Sequence, residues 1–233
     1  MAKDDMLTLL KLMLEYVLPT LKLFAFTLLF SIPAGMIVAL LKMCKIKPIS
    51  WLTNIYILIM RGTPLMLQVI VAFYFIPTVQ KNDSAPELLR KFLSGVSIRG
   101  NYIFWAVLVA FVLNYAAYFA EIFRGGIESI PKGQYEAAGA LGFSRLQTFF
   151  RIILPQVVKR VIPASSNEVI TLVKDTSLAN TVGYMELIYI AETQSSRLSS
   201  LVPLFMAGVM YFVMASVLTL LFSFIEKKFN YYK

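Results

Sequence analysis

The stretch EAAGALGFSRLQTFFRIILP, Glu136 to Pro155, is polar at its start and flanked by apolar segments of membrane length. Its spacing is Glu136-Ala137-Ala138, three residues, Gly142, nine residues, Ile152, one residue, Leu154-Pro155. Glu136, Ala137, Ala138, Ala140 and Leu141 favour helix. Gly142 can adopt φ > 0 and end that helix, and Pro155 marks the start of the next segment. A small-residue face lets a partner protein approach closely, and Glu136 offers it a fixed charge. The alternative is an ordinary loop joining two spans, because Ala-rich loops are common.

The surroundings of this stretch define the class. Of 233 residues, 58% are hydrophobic and only 15% charged, the composition of an integral membrane protein. There is room for one membrane domain and none for an ATPase domain beside it. No GxxxxGK[ST] loop occurs, so the chain is not expected to bind ATP itself. The one cysteine, Cys44, excludes an internal disulfide, and the absence of histidine removes the usual general base and the commonest zinc ligand. No metal, no cofactor and no enzymatic activity are expected.

Five apolar segments are long enough to span a bilayer: about Leu23–Leu41, Leu52–Thr78, Tyr102–Ala120, Val161–Ala179 and Leu201–Ile225. Residues 1–20 form an amphipathic segment, either a helix at the membrane interface or an extension of the first span. A single transmembrane domain covers 21–226. Lys42, Lys45 and Lys47, the basic residues of 121–160, and the tail of Lys227, Lys228 and Lys233 fall on one side of a five-span chain. Basic residues far outnumber acids there and are nearly balanced by them on the other side. That places the first set in the cytoplasm, the N-terminus outside and the C-terminus inside. The +9 net charge is thus a matter of topology, not of nucleic-acid binding.

Polar residues within spans are costly and concentrate in the fourth, where Asn167, Thr171 and Asp175 share one helical stripe with Glu168 at its edge and Ser177 beyond. They line a path for a small polar solute, or they pair with Lys174 or Arg61 to hold spans together. In Arg61-Gly62-Thr63-Pro64 the proline frees a carbonyl one turn earlier, so Thr63 and the freed backbone either bind substrate or mark a packing site. Asn114 either bridges helices or touches substrate.

Arg61-Gly62-Thr63-Pro64-Leu65, Asn114-Tyr115, Glu121-Ile122-Phe123-Arg124-Gly125-Gly126-Ile127, Ile130-Pro131-Lys132-Gly133-Gln134, the Glu136–Pro155 stretch and Lys174-Asp175-Thr176-Ser177-Leu178 together resemble the polar amino acid ABC transporter permeases. The resemblance runs from about Leu18 to Ile225. It implies a type I importer fold in a bacterial inner membrane, with Glu136, Ala137, Ala138 and Gly142 in a cytoplasmic coupling helix that docks on an ATPase subunit. It further implies an ATP-binding subunit dimer, a second copy of this chain or a related permease, and an extracytoplasmic solute-binding protein. The substrate would be a polar amino acid, with cationic ones among the candidates, carried by alternating access. Asn167, Glu168, Thr171, Asp175 and Ser177 match the family's substrate-contacting span. The loop from Lys81 to Gly100 departs from the pattern by its length. The rival readings are a passive channel or ATP-independent carrier, and a scaffold without a path of its own.

Overall fold

The computed structural model describes residues 3–229, with side chains from Met6 to Lys228. Lys233, which the charge count placed with the basic tail, lies outside the described residues, as do the side chains of Lys3, Asp4 and Asp5. All regular structure described is helical. In order, the chain forms α1 (Lys3–Lys42), α2 (Lys47–Gly62), α3 (Leu65–Lys81), α4 (Glu87–Leu93), α5 (Tyr102–Glu128), α6 (Lys132–Ala140) and α7 (Arg145–Thr148). A π turn (Phe149–Ile153) then leads into α8 (Leu154–Asp175), a 3₁₀ run (Thr176–Val182), α9 (Leu187–Leu198) and α10 (Val202–Phe229).

The centre is α5, buried along most of its length, and α1 is its main partner. In a membrane, helices associate through close packing rather than through escape from water, so small residues set the contact. The buried stripe of α1 includes the small residues Thr20, Thr27, Ser31, Gly35 and Ala39 beside Leu23, and α5 has Ala106, Ala110, Ala116, Ala117 and Ala120 buried. A Cβ at Gly35 would lie 2.6 Å from Phe119 Cβ and 3.1 Å from the Ala116 carbonyl oxygen. On the other side of α5, a Cβ at Gly126 would collide with Val161 of α8.

Three helices are long and apolar enough to cross a membrane: Met6–Lys42, Tyr102–Glu128 and Val202–Lys228. The expected second span is broken. α2 and α3 meet at 109°, and the pair makes a fourth candidate only if counted as one span. The cause is Pro64, which drives Thr63 into extended backbone at φ −120° and ψ 149°. The expected fourth span lies in α8 and the 3₁₀ run after it and is not among the long apolar helices, because its outward side is polar. The amphipathic residues before position 20 continue without interruption into the first span as α1.

The stretches between the expected second and third spans and between the expected fourth and fifth each contain a helix. α4 stands within Lys81–Gly100, anchored by buried Leu93 and by Gln80, whose side-chain amide donates to the carbonyls of Leu93 (2.8 Å) and Val96 (3.0 Å). α9 starts at Glu186, whose carboxylate caps the helix by accepting from the backbone N–H groups of Ile188 (2.8 Å) and Tyr189 (3.1 Å). Glu186 is fully buried, and it also accepts from Tyr211 of α10 (2.6 Å) and Thr20 of α1 (3.4 Å). One carboxylate thus gathers α1, α9 and α10. Burial holds its proton affinity above the usual carboxylate range, against the lowering effect of these donors.

Gly35→Ala should force the α1 and α5 backbones apart at a cost of about 1–3 kcal/mol. Thermal unfolding in detergent should show a clearly lower midpoint for this variant. Gly208→Ala, at a position with open space around it, should leave the midpoint unchanged.

Candidate functional site

α8 is amphipathic in an unusual setting. Val157, Val161, Ser166, Val169, Leu172 and Val173 face the rest of the chain and are buried. Pro163, Ala164, Asn167, Thr171 and Lys174 are exposed, and Glu168, Asp175 and Ser177 are half-buried. An uncovered polar face on a helix among apolar spans needs water or protein against it, because lipid cannot satisfy its groups. The predicted stripe is only partly shared. Asn167 and Thr171 look outward together, whereas Asp175 turns toward α5 and accepts a 2.7 Å hydrogen bond from the Tyr115 hydroxyl. The Ser177 hydroxyl donates to the Lys174 carbonyl at 2.7 Å. Among the described residues neither Glu168 nor Asp175 forms a close ion pair, although Arg61 lies within electrostatic reach of Glu168.

Thr63 and Asn114 come together at the break between α2 and α3. Pro64 has no N–H to give the Met60 carbonyl, one turn back. Two side-chain amides replace it: Asn114 Nδ2 of α5 and Gln68 Nε2 of α3 each donate to that carbonyl at 2.9 Å. Asn114 also donates to Gln68 Oε1 at 3.0 Å, and Gln68 Nε2 reaches Thr63 Oγ1 at 2.8 Å. Thr63 in turn donates to the Ile59 carbonyl at 2.8 Å. Asn114, almost fully buried, therefore bridges helices and spends its amide N–H groups doing so. Gln68, placed one turn after Pro64, was identifiable from that spacing but was not singled out.

Arg61, at the end of α2, leans over the ring of Tyr118 and toward Glu121 at 3.9 Å. Glu121 is the acid on which cations converge. Lys42 of α1 reaches it at 2.6 Å, and Arg124 at 2.7 Å while also holding Glu128 at 2.5 Å. Nothing in the one-dimensional pattern sets Glu121 apart from the other acids of its segment. Only the fold brings the ends of α1 and α2 to it.

α6 stands off from the bundle. Ala138 is its one buried residue, at 1% exposure, whereas Glu136, Ala137 and Gly142 are exposed. Of the four coupling residues read from the sequence, Ala138 thus turns inward and seats the helix. The helix ends where Gly142 takes φ +80°. The Phe143 N–H donates to the Ala138 carbonyl and the Gly142 N–H to the Gly139 carbonyl, both at 3.0 Å, in a Schellman arrangement. Ser144 and Gln147 then form a capping box for α7. The turn leaves Leu141 76% and Leu146 72% exposed.

A cavity of about 600 Å³ opens between α2–α3 and α5 and is lined by such residues as Met60, Leu67, Val71, Phe75 and Trp105. Its walls carry no charge, so it offers nothing to an amino acid's ammonium or carboxylate. No group of three or more His, Cys, Asp or Glu residues placed to hold a metal ion occurs among the described residues.

Residues 31–231 match the family described as binding-protein-dependent transport system inner membrane component. The chain is 37% identical to the octopine transport system permease protein OccM of Rhizobium radiobacter, over 84% of this chain and 79% of that protein. It is 34% identical to the arginine transport system permease protein ArtQ of Bacillus subtilis, over 92% of this chain and 91% of that one. Its fold superposes on a crystal structure of an amino acid ABC transporter with histidines at a TM-score of 0.80, with 30% identity and coverage of 98% and 99%. An apolar helical bundle, the Glu136–Pro155 spacing and these three likenesses agree: the chain belongs to the family of binding-protein-dependent transport system inner membrane components, as a transport subunit whose homologues are amino acid ABC permeases.

Proposed function

We propose that this chain is the permease subunit of an ATP-driven importer for polar amino acids in a bacterial inner membrane. The observation that carries the reading is the open polar face of α8. Asn167 and Thr171 look away from their own chain, with Glu168 and Asp175 flanking them. A second permease, identical or related, packed against that face would enclose a polar path between two such helices. The two carboxylates favour a substrate with a cationic side chain. Lys174, exposed at the end of the same face, complements a substrate carboxylate.

The finer architecture belongs to this proposal. The α2–α3 pair serves as one broken span and α8 with its 3₁₀ extension as another, giving five, with the N-terminus outside and the C-terminus in the cytoplasm. α6 is the coupling helix. Its exposed Glu136 and Ala137, and the apolar Leu141 and Leu146 around the Gly142 turn, form a surface for an ATPase subunit. That subunit, as a dimer, binds and hydrolyses ATP, and an extracytoplasmic solute-binding protein delivers the amino acid. Alternating access follows when closure of the ATPase pair displaces α6. A passive channel or ATP-independent carrier has no use for such a surface.

Gly142→Asp tests the docking surface. The variant should insert and purify, yet lose at least ten-fold in uptake and in substrate-stimulated ATP hydrolysis by the assembled transporter. Uptake at the original rate would remove α6 from the mechanism.

Ligand stabilisation tests the path. In the transporter assembled with its ATPase subunits, one class of amino acid should raise the unfolding midpoint. The gain expected is about 2.7 kcal/mol at a hundred-fold excess over Kd. Glu168→Gln and Asp175→Asn should each weaken that response by about ten-fold in apparent affinity, or ~1.4 kcal/mol. If no amino acid stabilises the protein, selection rests with the binding protein or the partner permease.

A further inference from the structure

A polar cleft lies away from the α8 face, where α1 ends, α2 begins and the last turns of α5 pass. It is an open cleft of about 410 Å³, with Lys42, Lys47, Ser50, Trp51, Asn54, Arg124 and Glu128 among its lining residues. We propose that it binds the headgroup of an anionic phospholipid.

Charge supplies the first argument. Three cations line the cleft against one carboxylate, Glu128, and the exposed Lys45 is two residues before Lys47 in the same turn. Arg124 spends three of its five N–H groups on Glu121 and Glu128, and its contribution to the cleft is chiefly its field. Lys42 gives one hydrogen bond to Glu121 and keeps two N–H groups. Lys47, the Trp51 indole N–H and the Asn54 amide have no hydrogen-bond partner among the described residues, and all three residues are exposed. Lysine, indole and amide donors around one cleft suit the oxygens of a phosphodiester, and the remaining positive charge suits its single negative charge.

The rim supplies the second argument, and it selects lipid over an acidic protein surface. Ile46 is 59%, Trp51 64% and Leu52 60% exposed, and Leu41, one residue before Lys42, is 41% exposed. The basic cleft therefore opens directly onto apolar surface continuous with the membrane-crossing helix Met6–Lys42. A ligand with a phosphate at one end and acyl chains at the other meets both. Basic pockets between helices at a membrane boundary are a recurrent lipid-headgroup geometry, and an exposed Trp at that depth is an interfacial anchor.

The test uses the full chain purified in detergent, titrated with phosphatidylglycerol, with phosphatidylcholine of the same acyl chains, and with soluble glycerol phosphate, while following the unfolding midpoint. Phosphatidylglycerol should raise the midpoint saturably, and the other two should not. Lys47→Gln and Trp51→Ala, both at exposed positions that leave the Glu121 ion pairs intact, should each weaken the phosphatidylglycerol response at least five-fold. Lys228→Gln, on the basic tail, should leave it unchanged. The proposal fails if phosphatidylcholine stabilises equally, or if glycerol phosphate alone reproduces the effect, since the ligand would then be a free phosphate. It also fails if Lys47→Gln binds phosphatidylglycerol like the parent but no longer co-purifies with its ATPase subunit, which would make the cleft a protein contact.

Discussion

Within a bilayer a backbone carbonyl without a donor has no water to turn to, and the Met60 carbonyl is in that position because Pro64 follows it. Its rescue by Asn114 and Gln68 joins three helices at one point. It holds the corner between α2 and α3 and ties both to the middle of α5. It also sets the direction of α2, so that Arg61 arrives beside Tyr118 and Glu121. Apolar residues at positions 68 and 114 together would leave the Met60 carbonyl without a donor, in a medium that punishes an unpaired polar group by several kcal/mol. The corner is thus an obligation created by one proline and discharged by two amides from different helices.

Two acids close the structure in different ways. Glu121 draws Lys42, Arg61 and Arg124 around it, so it remains an anion among cations. Among the described residues Glu186 forms no ion pair and is surrounded by neutral donors from three elements. The first arrangement persists at a solvated edge, where long flexible side chains can reach. The second needs burial and short rigid donors, and it resists salt because no mobile counter-ion can compete inside it.

Much of this was legible in the sequence, for physical reasons. The spans α1, α5 and α10 are apolar over more residues than any soluble core helix requires, and Gly142 could only have been a turn or a helix end. Pro64 announced a freed carbonyl, though not which groups would satisfy it. What stayed hidden depended on partners distant in sequence. Asp175 has the spacing of Asn167 and Thr171, yet Tyr115 on α5 pulls it inward. Ala138 reads like Ala137, yet only one of them faces the bundle. α9 looked like a loop because its polar content conceals a helix whose cap, Glu186, is buried by Thr20 from the far end of the chain. Under the proposed function, a second permease packed against α8 is what gives its open side a reason to be open.

The absence of clearance at Gly35 and Gly126 has a mechanical consequence. α5 touches α1 on one side and α8 on the other with no room for a methyl group at these two points, so each pair of backbones is held in close contact there. Helices held in this way have fewer internal degrees of freedom in which to dissipate a displacement. A push applied near these contacts travels as translation or tilt of the helices together, and compliance is left to the slender supports, such as the one buried alanine under α6.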